Sequence, residues 1–208
     1  MLVPRARYTE ALNLMESAVA KYTVGDPWDP GTRIGPSASK GQYETVLGFI
    51  ERAQRDGARL LTGGADMIRD TGYYVAPTVF VDVDPDSELG QEEVFGPVLS
   101  VVRAESLADA IALINASPFA NGTAIFTRSG YAARRFQNEV EVGMIGVNVP
   151  IPVPMAFFSF GGWKASLFGD LNVHGMDGVR FYTRGKTVTS RWPDDGSAAP
   201  GFHMPMMG

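Results

Sequence analysis

Three short apolar runs decide the fold of this chain: residues 97–103 (PVLSVVR), 122–127 (GTAIFT) and 143–149 (GMIGVNV). The first two lie on either side of a segment that opens with Ser106 and has helical apolar spacing, and a second helical segment begins at Ser129. Strand, helix, strand, helix, strand with short connections predicts two right-handed crossovers. We therefore expect an α/β fold with three parallel strands in one sheet.

The first hundred residues predict two amphipathic helices and two strands. One helix begins at Tyr8, and a second, capped by Ser37 or Ser39, ends at Gly57. A short strand is expected over residues 58–61. Alternating valines over residues 73–83 predict a strand with one buried face, and Pro77 places it at a sheet edge because proline cannot donate to a ladder.

The last sixty residues have a different pattern. Residues 150–164 are rich in proline, glycine and aromatic residues and predict a long irregular segment, which in a compact domain is usually functional or poorly ordered. Residues 179–183 and 187–191 are expected to form terminal strands. Residues from Pro193 onward resemble a tail.

Composition excludes several classes of function. The 208 residues have a net charge of −5 and a pI near 5.0, with no basic run interleaved with aromatics, so we expect no nucleic-acid partner. No apolar run reaches the length of a membrane span, and the expected location is the cytoplasm. Zero cysteines exclude disulfides and thiol catalysis within this sequence, and only two histidines are present. No G-x-G triplet marks a Rossmann dinucleotide site.

Two motifs leave a functional and a structural interpretation open. Residues 92–97 (EEVFGP) are either a solvated acidic turn or a cleft edge whose carboxylate accepts hydrogen bonds from ligand hydroxyls. Residues 160–164 (FGGWK) either line a pocket or pack beneath a loop.

An acidic run offers a further alternative. Asp82, Asp84, Asp86 and Glu93 have the spacing of a calcium-binding loop, but Ser87 replaces the turn glycine and the preceding segment is a strand. Carboxylates that cap the helix after Pro85 explain the run more simply, and we predict no metal site.

Three motifs taken together resemble the aldehyde dehydrogenase family. They are residues 92–98 (EEVFGPV), 121–127 (NGTAIFT) and 160–166 (FGGWKAS), and they occur in family order and spacing. Residues 146–154, 181–183 and 189–192, together with the end of the chain, resemble the CoA-acylating methylmalonate-semialdehyde dehydrogenases specifically. Segments of the first hundred residues, such as 74–79 (YVAPTV), are similar to aldehyde dehydrogenases in general.

The resemblance implies a domain organisation. Residues 1–185 correspond to part of the βαβαβ catalytic domain of an aldehyde dehydrogenase, truncated at its N-terminal side. Residues 186–192 correspond to the oligomerisation strand of that family, and residues 193–208 to a C-terminal tail.

The resemblance also implies a chemistry and a set of site residues. The family oxidises aldehydes with NAD through a cysteine thiolate and passes the acyl group to CoA or water. Glu93 corresponds to the residue that hydrogen-bonds the nicotinamide ribose, Phe95 to the aromatic beside it, and Phe160 to the substrate tunnel. No catalytic residue is assigned, because the family's nucleophile and base correspond to positions before Met1.

Two functional hypotheses follow from these assignments. The chain is either an incomplete dehydrogenase that is inactive alone, or a non-catalytic partner in a homo-oligomer or in association with another dehydrogenase chain. Its expected small-molecule partners are an aldehyde and CoA.

Overall fold

The computed structural model describes residues 1–190 and Trp192. Parallel and antiparallel strands alternate with helices along it, in the order β1 (Leu2–Pro4), α1 (Tyr8–Val19), α2 (Lys40–Arg55), β2 (Arg59–Thr62), β3 (Thr78–Val81), α3 (Glu88–Gln91), β4 (Val98–Ser100), β5 (Val102–Ala104), α4 (Leu107–Ala116), β6 (Phe119–Ala120), β7 (Gly122–Ile125), α5 (Gly130–Glu139), β8 (Met144–Val147), β9 (Trp163–Lys164) and α6 (Gly175–Tyr182).

The strand predicted at residues 97–103 consists of β4 and β5, interrupted at Val101. β4 pairs in parallel with β3, and β5 pairs in parallel with β1. Val101 donates its N–H to Phe80, whereas Val102 donates to Met1. Because successive N–H groups of a strand point to opposite edges, β1 and β3 lie on opposite sides of this strand.

The prediction of three neighbouring parallel strands is confirmed only in part. β7 and β8 pair in parallel, with Gly122 opposite Met144 and Ile125 opposite Val147. The first strand of the predicted set is not hydrogen-bonded to either of them within the described residues, because β3 and β1 occupy its edges.

The prediction of an edge strand with one buried face at residues 73–83 is wrong. Only Thr78–Val81 is a strand, all four residues are buried, and β2 and β4 flank it. Val79 and Val81 pack toward α1, whereas Phe80 packs toward α2. Helices therefore cover both faces, and Pro77 precedes the ladder rather than interrupting it.

The helix boundaries follow the predicted capping signals. Ser39 accepts a hydrogen bond from the N–H of Gln42 at 3.2 Å, and Gly57 follows α2 with φ +90°. Ser106 caps α4 and Ser129 caps α5 in the same way. None of the described helices is both long and apolar enough to span a membrane.

The C-terminal segment differs from its prediction. The sequence predicts a strand at residues 179–183, but Gly175–Tyr182 is a helix, in which Asp177 and Arg180 pair one turn apart at 3.0 Å. Residues 183–190 are exposed and belong to no strand of the described chain. Arg191, within the predicted terminal strand, and the predicted tail at 193–208 lie outside the described residues.

Candidate functional site

The 92–97 loop is anchored by Val94, which lies between the two candidate binding residues Glu93 and Phe95. Val94 is buried in the core formed with α2, while Glu93 and Phe95 on either side of it are exposed. The side chain of Gln42, in the first turn of α2, donates a 2.8 Å hydrogen bond to the carbonyl of Phe95. The loop therefore presents a carboxylate and an aromatic ring to its surroundings from a fixed backbone.

Close packing at Gly96 completes this anchorage. A Cβ on Gly96 would lie 2.7 Å from Cγ2 of Val46, a fully buried residue of α2. Phe95 itself has φ +49°, an uncommon conformation for an aromatic residue, and its side chain is 72% exposed. Backbone strain and exposure of a large apolar ring coincide here, and this combination is typical of ligand-contact positions.

Phe160 occupies a different part of the molecule. It is half-buried, and its ring stacks on His174 with centroids 4.4 Å apart and planes 5° apart. The hydroxyl of Ser159 donates to the carbonyl of His174 at 3.1 Å. The residue thus packs on the turn that precedes α6.

Lys164 holds the end of α4. Its Nζ donates to the carbonyls of Asn115 and Ser117 at 2.7 and 3.3 Å, and it pairs with Glu141 at 3.3 Å. The last carbonyls of a helix have no partner within the helix, so a lysine placed there satisfies them. These contacts give Lys164 a structural role.

Glu93 and Phe95 do not meet Phe160 within the described residues. In the part of the chain that the structure describes, no hydrogen bond or ring contact connects the 92–97 loop with the segment around Phe160. A cavity of about 80 Å³ lies under α2 and is lined by residues such as Phe49, Asp56 and Leu89, so it includes none of the three candidate residues.

The acidic run is organised by arginines. Asp82 accepts hydrogen bonds from Arg59 and Arg103, and Asp84 accepts from the N–H of Asp86. No three acidic or histidine side chains among the described residues converge on a possible metal position. The calcium alternative therefore lacks a ligand set among the described residues. The helix-capping interpretation is corrected in one respect: the side chain that caps α3 is Ser87, not a carboxylate.

A family model described as the aldehyde dehydrogenase family matches residues 1–188. The chain belongs to the aldehyde dehydrogenase family. The family resemblance inferred from the motifs is thereby confirmed.

Curated relatives in this family extend the match over most of the chain. It is 48% identical over 185 residues to malonate-semialdehyde dehydrogenase 1 of Oceanobacillus iheyensis, and this alignment covers 88% of this chain and 38% of that protein. It is 49% identical over 177 residues to malonate-semialdehyde dehydrogenase of Pseudomonas aeruginosa, and this alignment covers 84% of this chain and 36% of that protein. The chain therefore spans less than two fifths of the length of these aldehyde dehydrogenases.

Solved aldehyde dehydrogenase structures agree with the fold. The methylmalonate-semialdehyde dehydrogenase of Oceanimonas doudoroffii is 44% identical with a TM-score of 0.88, over 94% of this chain and 41% of that one. An aldehyde dehydrogenase of Mycobacterium tuberculosis, complexed with NAD+, is 34% identical with a TM-score of 0.80, over 90% of this chain and 40% of that one. The resemblance to methylmalonate-semialdehyde dehydrogenases is confirmed.

Proposed function

We propose that this chain supplies part of the cofactor side and part of the substrate side of an NAD-dependent aldehyde dehydrogenase. The substrate is a short aldehyde of the malonate-semialdehyde type, and the product is an acyl-CoA or the acid. The anchored 92–97 loop carries this proposal, supported by 48–49% identity to malonate-semialdehyde dehydrogenases. The reaction is proposed to take place in the cytoplasm.

The residues of this loop fit an NAD molecule. Glu93 is an exposed carboxylate, the acceptor that ribose hydroxyls require, and Phe95 is an exposed ring of the kind that packs on a nicotinamide. NAD, when bound, accepts the hydride that the aldehyde loses on oxidation. The contribution of the chain is to hold these two contacts on a backbone already fixed by Gln42 and Val46.

The absence of cysteine makes the chain inactive by itself in this proposal. The family mechanism needs a thiolate nucleophile, and the 208 residues contain no cysteine. Loss of a covalent nucleophile typically costs about 10⁴-fold or more in rate. Turnover therefore requires a polypeptide segment that brings the family cysteine.

The test is complementation. The 208-residue chain is mixed with the part of the Oceanobacillus iheyensis relative that lies outside its similarity to this chain and carries the family cysteine. NADH formation from malonate semialdehyde is followed with CoA present or absent. Activity only in the mixture supports the proposal. NADH formation by the chain alone contradicts the proposed inactivity of the isolated chain. An inactive mixture contradicts the proposed contribution of the chain to catalysis.

A second candidate function is assembly with another dehydrogenase chain. Residues 183–190 are exposed and pair with no strand of the described chain, as a segment that adds to a neighbour's sheet would. The chain is mixed with a full-length malonate-semialdehyde dehydrogenase, and complex mass is measured by light scattering. Formation of a mixed complex that is lost on deletion from residue 183 onward supports this function; separate elution contradicts it.

A further inference from the structure

The turn after β8 is held by one asparagine side chain. Asn148 has φ +57°, and its backbone N–H donates to the carbonyl of Ile125 at 2.8 Å. Its side-chain Oδ1 accepts from the N–H of Thr127 at 2.8 Å, and its Nδ2 donates to the carbonyl of Thr127 at 3.1 Å. The side-chain amide thus pairs with both backbone groups of Thr127, as a further strand residue would.

This pairing lets the backbone leave the sheet at Asn148. Asparagine adopts the left-handed conformation more readily than most residues, so the chain can reverse while the ladder is continued by the side chain. Immediately afterwards the carbonyl of Val149 lies so close to Gly146 that a Cβ there would overlap with it. The reversal therefore depends on a small residue at 146 and a left-handed residue at 148.

The reversal directs the 149–162 segment back along the β7–β8 pair. Pro152 contacts Gly122 at the start of β7, where a Cβ would lie 3.1 Å from its Cγ. The carbonyl of Gly161 packs on Gly143, just before β8. The segment thus returns from the end of β8 to its beginning and brings Phe160 to the turn before α6.

The partner of Asn148 is itself fixed. The hydroxyl of Thr127 accepts from the N–H of Ser129 at 3.1 Å, and Ser129 caps α5. The asparagine therefore attaches the start of the 149–162 segment to a helix terminus rather than to a loose loop.

We propose that Asn148 is a positioning residue for the substrate side of the enzyme: it sets the course of the 149–162 segment and thereby the place of Phe160. The inference rests on the proposed function, because it takes Phe160 as the substrate-tunnel residue that the family resemblance implies. Asn148 itself takes no part in the chemistry. Among the described residues its hydrogen bonds go to Ile125 and Thr127 and not to the 92–97 loop that carries the proposed NAD contacts.

The first experiment measures amide hydrogen exchange in the 208-residue chain. Asn148→Ala removes both side-chain hydrogen bonds, whereas Asn148→Gly removes them but accepts the left-handed turn. Two amides report on the 149–162 segment: Phe158 N–H bonds the carbonyl of Met155, and Gly175 N–H bonds the carbonyl of Ala156. We expect their exchange to accelerate about tenfold for alanine and less for glycine, because two hydrogen bonds are lost. Asn138→Ala, at an exposed position of α5, is the matched control. Unchanged exchange in both Asn148 variants overturns the proposal.

The second experiment uses the complemented enzyme. If Asn148 positions the substrate side, Asn148→Ala raises KM for the aldehyde several-fold and leaves KM for NAD unchanged. If Asn148 serves only stability, the variant has a smaller active fraction but unchanged KM values for the aldehyde and for NAD. That result overturns the proposal. An inactive wild-type mixture defeats the proposed function instead, and the exchange measurement then decides by itself whether Asn148 holds the segment.

Discussion

Arg103 donates a 2.7 Å hydrogen bond from Nη2 to Oδ1 of Asp82, and Arg59 bonds the other carboxylate oxygen at 2.9 Å. Asp82 follows β3 with φ +53°, and its N–H donates to the hydroxyl of Tyr8 at 2.8 Å. The guanidinium of Arg103 also lies 4.2 Å from the centre of the Tyr8 ring. Asp82 thus connects β3 with β2 and β5 through its carboxylate and with α1 through its backbone N–H.

Replacing this carboxylate by its amide should destabilise the chain. Asp82→Asn keeps a residue that tolerates the positive φ but weakens two charge-assisted hydrogen bonds. Because the carboxylate is 36% exposed, we expect a loss of about 1 kcal/mol in the free energy of unfolding, measured by urea denaturation at pH 7. Asp70→Asn, at an exposed position, should change it by less than about 0.5 kcal/mol. Equal stability of the two variants would show that the connection is unimportant.

The same carboxylate predicts a pH dependence. Burial alone raises the pKa of Asp82, but hydrogen bonds from Arg103, Arg59 and Tyr8 outweigh it and bring the pKa below its ordinary 3.8. A lowered pKa stabilises the folded chain above the unfolded value, and this stabilisation is lost as pH falls through the folded value. The difference in unfolding free energy between wild type and Asp82→Asn should therefore shrink between pH 5 and pH 3. A difference that stays constant over this range contradicts the assignment.

The sequence predicts local structure here better than strand pairing. Ser39, Ser106 and Ser129 begin helices as expected, because capping depends on residues three positions apart. The strand at residues 97–103 pairs with β3, 20 residues earlier, and with β1, 100 residues earlier, and no local pattern specifies these partners. The prediction that Pro77 places β3 at a sheet edge, with one buried face, is wrong because β2 and β4 flank this strand and α1 and α2 cover both of its faces. The local sequence does not show that these elements pack there.

The candidate site shows the same division. Glu93 and Phe95 were singled out by motif resemblance, but the bond from Gln42 that fixes their loop spans 53 residues and has no sequence signal. Lys164 lies in a recognisable motif, yet its contacts with α4 become visible only in the structure. Asn148 was missed, although an asparagine directly after a strand is a known signal for a left-handed turn.

Close packing at Gly96 predicts a strong effect of one methyl group. Gly96→Ala places a Cβ 2.7 Å from Cγ2 of Val46, which is buried and cannot move away freely. We expect a loss of about 1 to 3 kcal/mol in the free energy of unfolding. Gly41→Ala, in α2 with no atom within 4 Å of the new Cβ, should be neutral or stabilising by up to about 1 kcal/mol. Thermal denaturation of both variants checks this, and an unaffected Gly96→Ala would mean that the 92–97 loop is not held against α2.

The proposed NAD contacts of Glu93 and Phe95 predict a selective change in kinetics. In the complemented enzyme, Glu93→Gln weakens an acceptor for ribose hydroxyls and Phe95→Ala removes the exposed ring. Each should raise KM for NAD about 5- to 30-fold, the equivalent of about 1 to 2 kcal/mol, with KM for the aldehyde unchanged. Glu92→Gln, next to the same loop position and also exposed, is the control and should leave both constants unchanged. Equal effects of Glu92→Gln and Glu93→Gln would point to the charge of the loop rather than to a ribose contact.

Removal of the Lys164 ammonium should lower the free energy of unfolding and leave kcat unchanged. The lysine is the donor to two carbonyls at the end of α4, and its side chain is only 27% exposed, so Lys164→Met leaves these acceptors without their partner. We expect a loss of about 1 to 2 kcal/mol in the free energy of unfolding. Lys40→Met, which breaks an exposed pair with Glu44, should cost less than about 0.5 kcal/mol. In the complemented enzyme, both variants should keep the wild-type kcat per folded molecule. A Lys164→Met variant that stays fully stable but loses turnover would instead assign the ammonium to the reaction, since its structural contacts could not then account for the loss.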